Sequence, residues 1–198
     1  MIKLLKQIQN CVLFAIFLGV FSPAFGSTKT ILINCNIIDG TGKPVAKNMV
    51  ITISENTISN IEKGPYKSKV ETNREVIDLK GGYVLPGLWN NHSHLSDLLP
   101  DVNSILGKEN TVSATIRAGR NAMDAIKRGF TSLRSTGSRD YLDVYWGKAF
   151  KDGVFIGPTI YPAGNPIAAV GGHGIDDYAW PATIAINGPE EMRKAVRE

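Results

Sequence analysis

Across residues 30–85 the apolar positions come in short runs or alternate with polar ones, and each run closes on a turn-forming cluster. Ile31, Ile33, Ile37 and Ile38 lead to Asp39-Gly40-Thr41-Gly42, where Asp and Gly accept the backbone angles of a turn. Val50-Ile51-Thr52-Ile53 follows, Glu55-Asn56 turns the chain, and Thr57-Ile58-Ser59-Asn60-Ile61 alternates as a half-buried strand does. Two last runs, 75–79 and 83–85, are separated by Lys80-Gly81-Gly82. The pattern predicts a small antiparallel sheet and carries no chemistry of its own.

After Pro86 the rhythm becomes strand and helix in alternation. Residues 110–128 predict a helix with Asn110 or Thr111 as N-cap, Val112, Ile116, Met123 and Ile126 on its apolar side, and Gly129 as its stop. Residues 130–134 predict a strand. A second helix covers 142–151, with Leu142, Tyr145, Trp146, Ala149 and Phe150 near one face, and ends at Gly153. Residues 158–162 predict another short strand, and Pro189-Glu190-Glu191 opens a helix with Pro at N1 and carboxylates in the positive first turn. This alternation is the signature of a parallel α/β arrangement.

Composition narrows the class. With 43% hydrophobic and 20% charged residues, and with 20 Gly and 10 Pro dispersed along the chain, neither a disordered tail nor a low-complexity polymer fits. A net charge of +4 without a clustered basic face gives no case for nucleic acid. Lys3 and Lys6, the apolar run 11–21 and the small residues 22–27 read as a signal peptide cleaved after Gly26. The run is about half of the roughly 20 residues that span a bilayer, so no stable membrane anchor is expected after cleavage. Export implies a periplasmic or secreted protein. Cleavage leaves Cys35 as the single thiol, and a buried, inert role is its default.

The chemistry concentrates in Leu85-Pro86-Gly87-Leu88-Trp89-Asn90-Asn91-His92-Ser93-His94. Side chains alternate along a strand, so Asn90, His92 and His94 are expected on one side. Neutral imidazoles ligate Zn²⁺ at about 2.0–2.1 Å, and two of them form half of a tetrahedral shell. A pair of exposed or hydrogen-bonded histidines with no metal is the competing reading.

Leu85-Pro86-Gly87-Leu88 followed by His92-Ser93-His94 resembles the opening metal motif of the metal-dependent amidohydrolase superfamily, whose usual form places Asp two residues before the first histidine. Residues 37–42 and 76–81 are similar to strands of that family's N-terminal β-sandwich. Gly129-Phe130-Thr131-Ser132-Leu133-Arg134 is similar to its second barrel strand, and residues 157–164 and 171–174 look like the branch of imidazolonepropionase-like enzymes and Xaa-Pro dipeptidases. The resemblance implies an α/β fold in which a small β-sandwich region, 27–85, precedes a (β/α)8 TIM-like barrel. Residues 86–198 then supply about three βα units, which makes this chain the N-terminal portion of a longer enzyme.

By that resemblance His92 and His94 are metal ligands in a centre of one or two divalent ions, Zn foremost. A carboxylated lysine, two later histidines and an aspartate complete the usual set. The aspartate is the family's general acid and base, expected beyond residue 198, so the chain alone is expected to be inactive. The implied reaction is hydrolysis of a C–N bond in a cyclic amide or small peptide by metal-activated water, with homo-oligomerisation left open. His173, in Gly171-Gly172-His173-Gly174, is assigned to substrate contact, with an ordinary loop histidine and a third metal ligand as alternatives.

Two positions depart from the family. Asn90 stands where Asp is usual, and Ser135 follows Arg134 where Asp is common. Carboxylates beside a metal site orient ligand imidazoles, so their loss leaves open a non-catalytic relative or a truncated gene remnant. Asn90 retaining a hydrogen bond through its amide oxygen is the neutral alternative. Tyr161, Trp146 and Trp180 are expected to be packing residues.

Overall fold

The computed structural model describes residues 29–67, 73–96, 109–172, 175 and 183–197. The predicted signal peptide, His173 and Trp180 lie outside them. The chain divides between Pro86 and Gly87 into two compact units. Among the described residues no helix is long and apolar enough to cross a membrane.

The first unit holds β1 (Lys29–Ile37), β2 (Ala46–Ser54), β3 (Thr57–Lys63), β4 (Arg74–Asp78) and β5 (Tyr83–Val84). β1, β2 and β3 form the expected antiparallel meander. β4 and β5 instead pair parallel to β1, with Ile31 opposite Val76 and Asn36 opposite Tyr83. The sheet is therefore mixed. Periodicity marks strands without their direction, and here β4 starts beside the start of β1. Asp78 turns the chain between β4 and β5, its carboxylate accepting from the Lys80 N–H at 2.8 Å and the Asn34 amide at 2.9 Å. Ile31, Cys35, Val50 and Ile51 are buried, while Ile58, Ile61 and Val76 on other strands stay exposed. Among the described residues of this unit there is one sheet, and the second layer of the expected sandwich is not among them.

The second unit alternates β6 (Leu88–Ser93), α1 (Thr111–Lys127), β7 (Phe130–Ser135), a single 3-10 turn (Arg139–Tyr141), α2 (Leu142–Lys151) and β8 (Thr159–Tyr161). β6, β7 and β8 lie side by side and parallel. Asn110 caps α1, its side chain accepting from the Ser113 N–H at 2.9 Å, and Gly129 leaves the helix at φ +90.

The buried face of α1 is not the one the large residues mark. Ala114, Ala118, Gly119 and Ala122 face inward, whereas Val112 and Ile116 are each 69% exposed. Small residues win because the layers approach closely. A Cβ on Gly119 would lie 2.0 Å from a ring carbon of Trp146, and the Trp146 indole N–H donates to the Thr115 carbonyl at 3.0 Å. Leu95, Ala118, Ala122, Leu133 and Ile160 make the core, with Phe130, Trp146 and Phe150 packed against it. On α2, Leu142 is buried as expected, but Tyr145 is exposed.

Two strands escape the periodicity reading, β9 (Ile167–Ala169) and β10 (Ile184–Ile186), which pair parallel with each other. At three residues each they are too short to show a period. α3 (Pro189–Ala195) follows Gly188 with Pro at N1 and Glu190 and Glu191 in its first turn, as the sequence predicts.

Candidate metal centre

His92 lies in the last turns of pleat of β6 and His94 one residue past its end, at the C-terminal edge of a parallel sheet. That edge is where α/β folds build their sites. The alternation predicted for Asn90, His92 and His94 is interrupted. Asn90 pairs with Leu133 and Ser93 with Ser135, so three steps on β6 meet two on β7. This bulge re-aims the strand end. Asn90 serves it locally, its amide oxygen accepting from the His92 backbone N–H at 3.1 Å. It thus keeps an acceptor role, directed to the backbone of His92.

The two imidazoles meet edge to face, with ring centroids 5.3 Å apart and planes at 74°. Two imidazoles sharing one tetrahedral ion at about 2.0–2.1 Å bring their ring centres to roughly 5 Å. The observed centroid spacing of 5.3 Å is of that order. Among the described residues no cluster of three or more His, Cys, Asp or Glu side chains that could hold a metal ion converges.

His94 is half-buried and held from two sides. Its Nδ1 lies 3.1 Å from the Gly137 carbonyl and its Nε2 3.2 Å from the Thr136 hydroxyl. A carbonyl only accepts, so Nδ1 carries the proton, and in the neutral ring Nε2 then accepts from Thr136. Ser135 is 1% exposed. Its hydroxyl accepts from the Gly137 N–H at 3.3 Å, which ties down the residue whose carbonyl faces His94.

A brace from α1 fixes the chain just after His94. Leu95 is buried in the core, and its carbonyl accepts from the Asn121 amide at 2.8 Å. Arg117 donates through Nε to the Ser96 carbonyl at 2.6 Å and pairs through both terminal nitrogens with Glu109. That hydrogen-bonded guanidinium holds the Glu109 carboxyl below its ordinary value, and the charge of Arg139 adds to the effect. Arg139 also donates to the Glu109 carbonyl at 3.1 Å.

Asp143 escaped the sequence reading. It is fully buried at the start of α2, accepting from the Val144, Ala163 and Gly164 N–H groups at 2.9, 2.9 and 3.1 Å. It anchors the loop after β8, and an acidic residue in a first helical turn is the only signal it gave. Trp146 packs as expected. Tyr161 stacks on Trp89 at 5.0 Å between centroids, with both rings half exposed. Cys35 is buried, its thiol donating to the Met49 carbonyl at 3.2 Å, and burial raises its pKa.

No family model matches the chain. A solved Xaa-Pro dipeptidase with bound methionine in its active site is 32% identical and superposes with a TM-score of 0.73 over 86% of this chain and 44% of its own. The chain is amidohydrolase-like. Ochratoxinase of Aspergillus niger is 28% identical over 81% of this amidohydrolase-like chain and 37% of its own length. A prolidase solved with N-methylphosphonate-L-proline is 26% identical, with a TM-score of 0.69 over 86% of this chain and 43% of its own. These relatives are hydrolases of C–N bonds. The chain spans well under half of each.

Proposed function

We propose that this chain carries the first two ligands, His92 and His94, of a divalent-metal centre in a hydrolase of amide-like C–N bonds. The observation that supports it is the 5.3 Å imidazole pair at the C-terminal edge of a parallel sheet, with the His94 tautomer fixed by a backbone carbonyl. A divalent ion bound there supplies Lewis-acid polarisation of the scissile carbonyl and an activated water, with Zn as the ion these nitrogen donors favour. The chain's own share is to set two imidazoles side by side and to hold the second by the α1 brace.

The sequence contains three histidines, so only His173 stands beside this pair. The two later histidines of the implied set cannot both come from these 198 residues. We therefore read the chain as the first portion of the site, with turnover requiring ligands and a proton shuttle from further residues. The relatives that act on Xaa-Pro peptides and ochratoxin support a small peptide or peptide-like amide over a cyclic amide. Export through residues 1–26 belongs to the same proposal and is tested by the N-terminal sequence of the mature protein.

Zn²⁺ titration of the 198-residue chain, its His92→Ala variant and its His94→Ala variant tests the ligand assignment. Saturable binding to the wild type, lost in both variants, supports it. Binding that is unchanged in either variant refutes it.

A further inference from the structure

We infer that Asn187 is a site of spontaneous modification, where the backbone nitrogen of Gly188 attacks the side-chain amide and converts residue 187 to an aspartyl or β-linked isoaspartyl residue. The inference is independent of the metal reading above and concerns the junction between β10 and α3.

The reaction needs a side-chain carbonyl carbon one residue before a backbone N–H, room for the two to close a ring, and no hydrogen bond that holds either away. The sequence has a single Asn-Gly step, 187–188, and two Asp-Gly steps of the same layout, 39–40 and 152–153. Both Asp steps are held. The Asp39 carboxylate accepts from the Thr41 N–H at 2.9 Å and from its hydroxyl at 2.7 Å. Asp152 is paired with Lys148, and the Gly153 N–H that would attack it donates to the Phe150 carbonyl at 3.1 Å. An ionised carboxylate is besides a poorer electrophile than an amide.

Asn187 differs at each point. It and Gly188 are both exposed. Its backbone N–H donates to the Glu191 carboxylate at 2.5 Å, but among the described residues neither its side-chain amide nor the Gly188 N–H has a hydrogen-bond partner. Gly188 has φ +98, and a Cβ there would meet no atom within 4 Å. A side chain at that position would shield the attacking nitrogen, and glycine leaves it bare.

Base removes the Gly188 amide proton and the nitrogen bonds to Asn187 Cγ. The Cγ–Nδ2 bond then breaks, and the departing nitrogen takes a proton from solvent and leaves as ammonia. Water opens the cyclic imide at either carbonyl, giving the α-linked or the β-linked acid, and no oxidant or cofactor is consumed. The β-linked product lengthens the main chain by a methylene just after Ile186, which pairs with Ala169. Either product places a new carboxylate on the residue whose N–H the Glu191 carboxylate already holds.

The test ages the full chain in mildly alkaline buffer and maps it by peptide mass spectrometry, with a synthetic peptide of residues 183–192 as the unrestrained reference. Asn187 is expected to lose its amide before every other asparagine, at a rate within a few-fold of the peptide's and rising with pH. Endoproteinase Asp-N, which cuts before Asp but not before its β-linked isomer, is expected to leave part of the product uncut. Gly188→Ala is expected to slow the loss several-fold in the chain and in the matching peptide alike, so that shielding of the nitrogen is separated from any change in the fold. A native chain that keeps the Asn187 amide while the peptide loses it overturns the proposal. So does another asparagine that reacts first, or a Gly188→Ala chain that reacts as fast as the wild type.

Discussion

Gly137 and His94 are joined by a 3.1 Å hydrogen bond across the tops of two neighbouring strands, which makes a backbone carbonyl the orienting group for the second imidazole of the pair. The loop after β7 is therefore as much a part of the candidate centre as the histidine motif itself.

Replacing Gly137 should show this directly. Gly137→Ala forces a Cβ against Pro166 and places alanine at φ +138. Strain of this kind costs about 1–3 kcal/mol. Urea unfolding is expected to show that loss, and Zn²⁺ titration a weaker site. A variant of unchanged stability and unchanged affinity would contradict the role given to the loop.

Gly119→Ala should also destabilise, against the usual trend. In a helix interior alanine is favoured over glycine by about 1 kcal/mol. Here the added methyl would meet the Trp146 ring at 2.0 Å, and overpacking of a tight contact costs roughly 1–3 kcal/mol. Chemical denaturation monitored by tryptophan fluorescence decides the sign.

The Glu109–Arg117 pair predicts an acid sensitivity. The Glu109 pKa lies below 4.5 in the folded chain, chiefly through its hydrogen bond from Arg117. A carboxyl with a depressed folded pKa contributes stability that is complete above its unfolded value and is lost as pH falls through the folded one. Stability measured from pH 7 to pH 3 should fall more steeply in the wild type than in Glu109→Gln. Hydrogen exchange should show the segment around Leu95 and Ser96 loosening with it. Parallel profiles would remove the brace from the account.

Asp143 is expected to be irreplaceable by asparagine. Its carboxylate accepts three backbone N–H groups while fully buried, and an amide brings donors where only acceptors fit. Asp143→Asn should cost about 1–3 kcal/mol by urea unfolding. A loss within a few tenths of that scale from zero would show the loop to be anchored elsewhere.

Much of this architecture was legible before any coordinate. Asn110 as cap, Gly129 as stop and the βαβαβ rhythm all follow from local chemistry, because a cap or stop acts on its immediate neighbours. The direction of β4 was not legible, since alternation is the same for both pairings. Nor was the inward face of α1, where Ala118 and Gly119 displaced Val112 and Ile116 because helix spacing, not residue size, decided burial. In the candidate centre the histidine pair stood out by type and spacing. Thr136, Gly137 and Asp143 did not, because a hydrogen bond from side chain to backbone has no periodicity to read. The departure at Ser135 acquired a meaning only when its hydroxyl was found on the Gly137 N–H.

The central claim is that His92 and His94 share one ion, and Zn²⁺ titration of the wild type and the two single alanine variants tests it most directly. The account predicts one saturable ion per chain in the wild type and its loss in both His92→Ala and His94→Ala. Binding that survives either substitution, or no binding to the wild type, would contradict it.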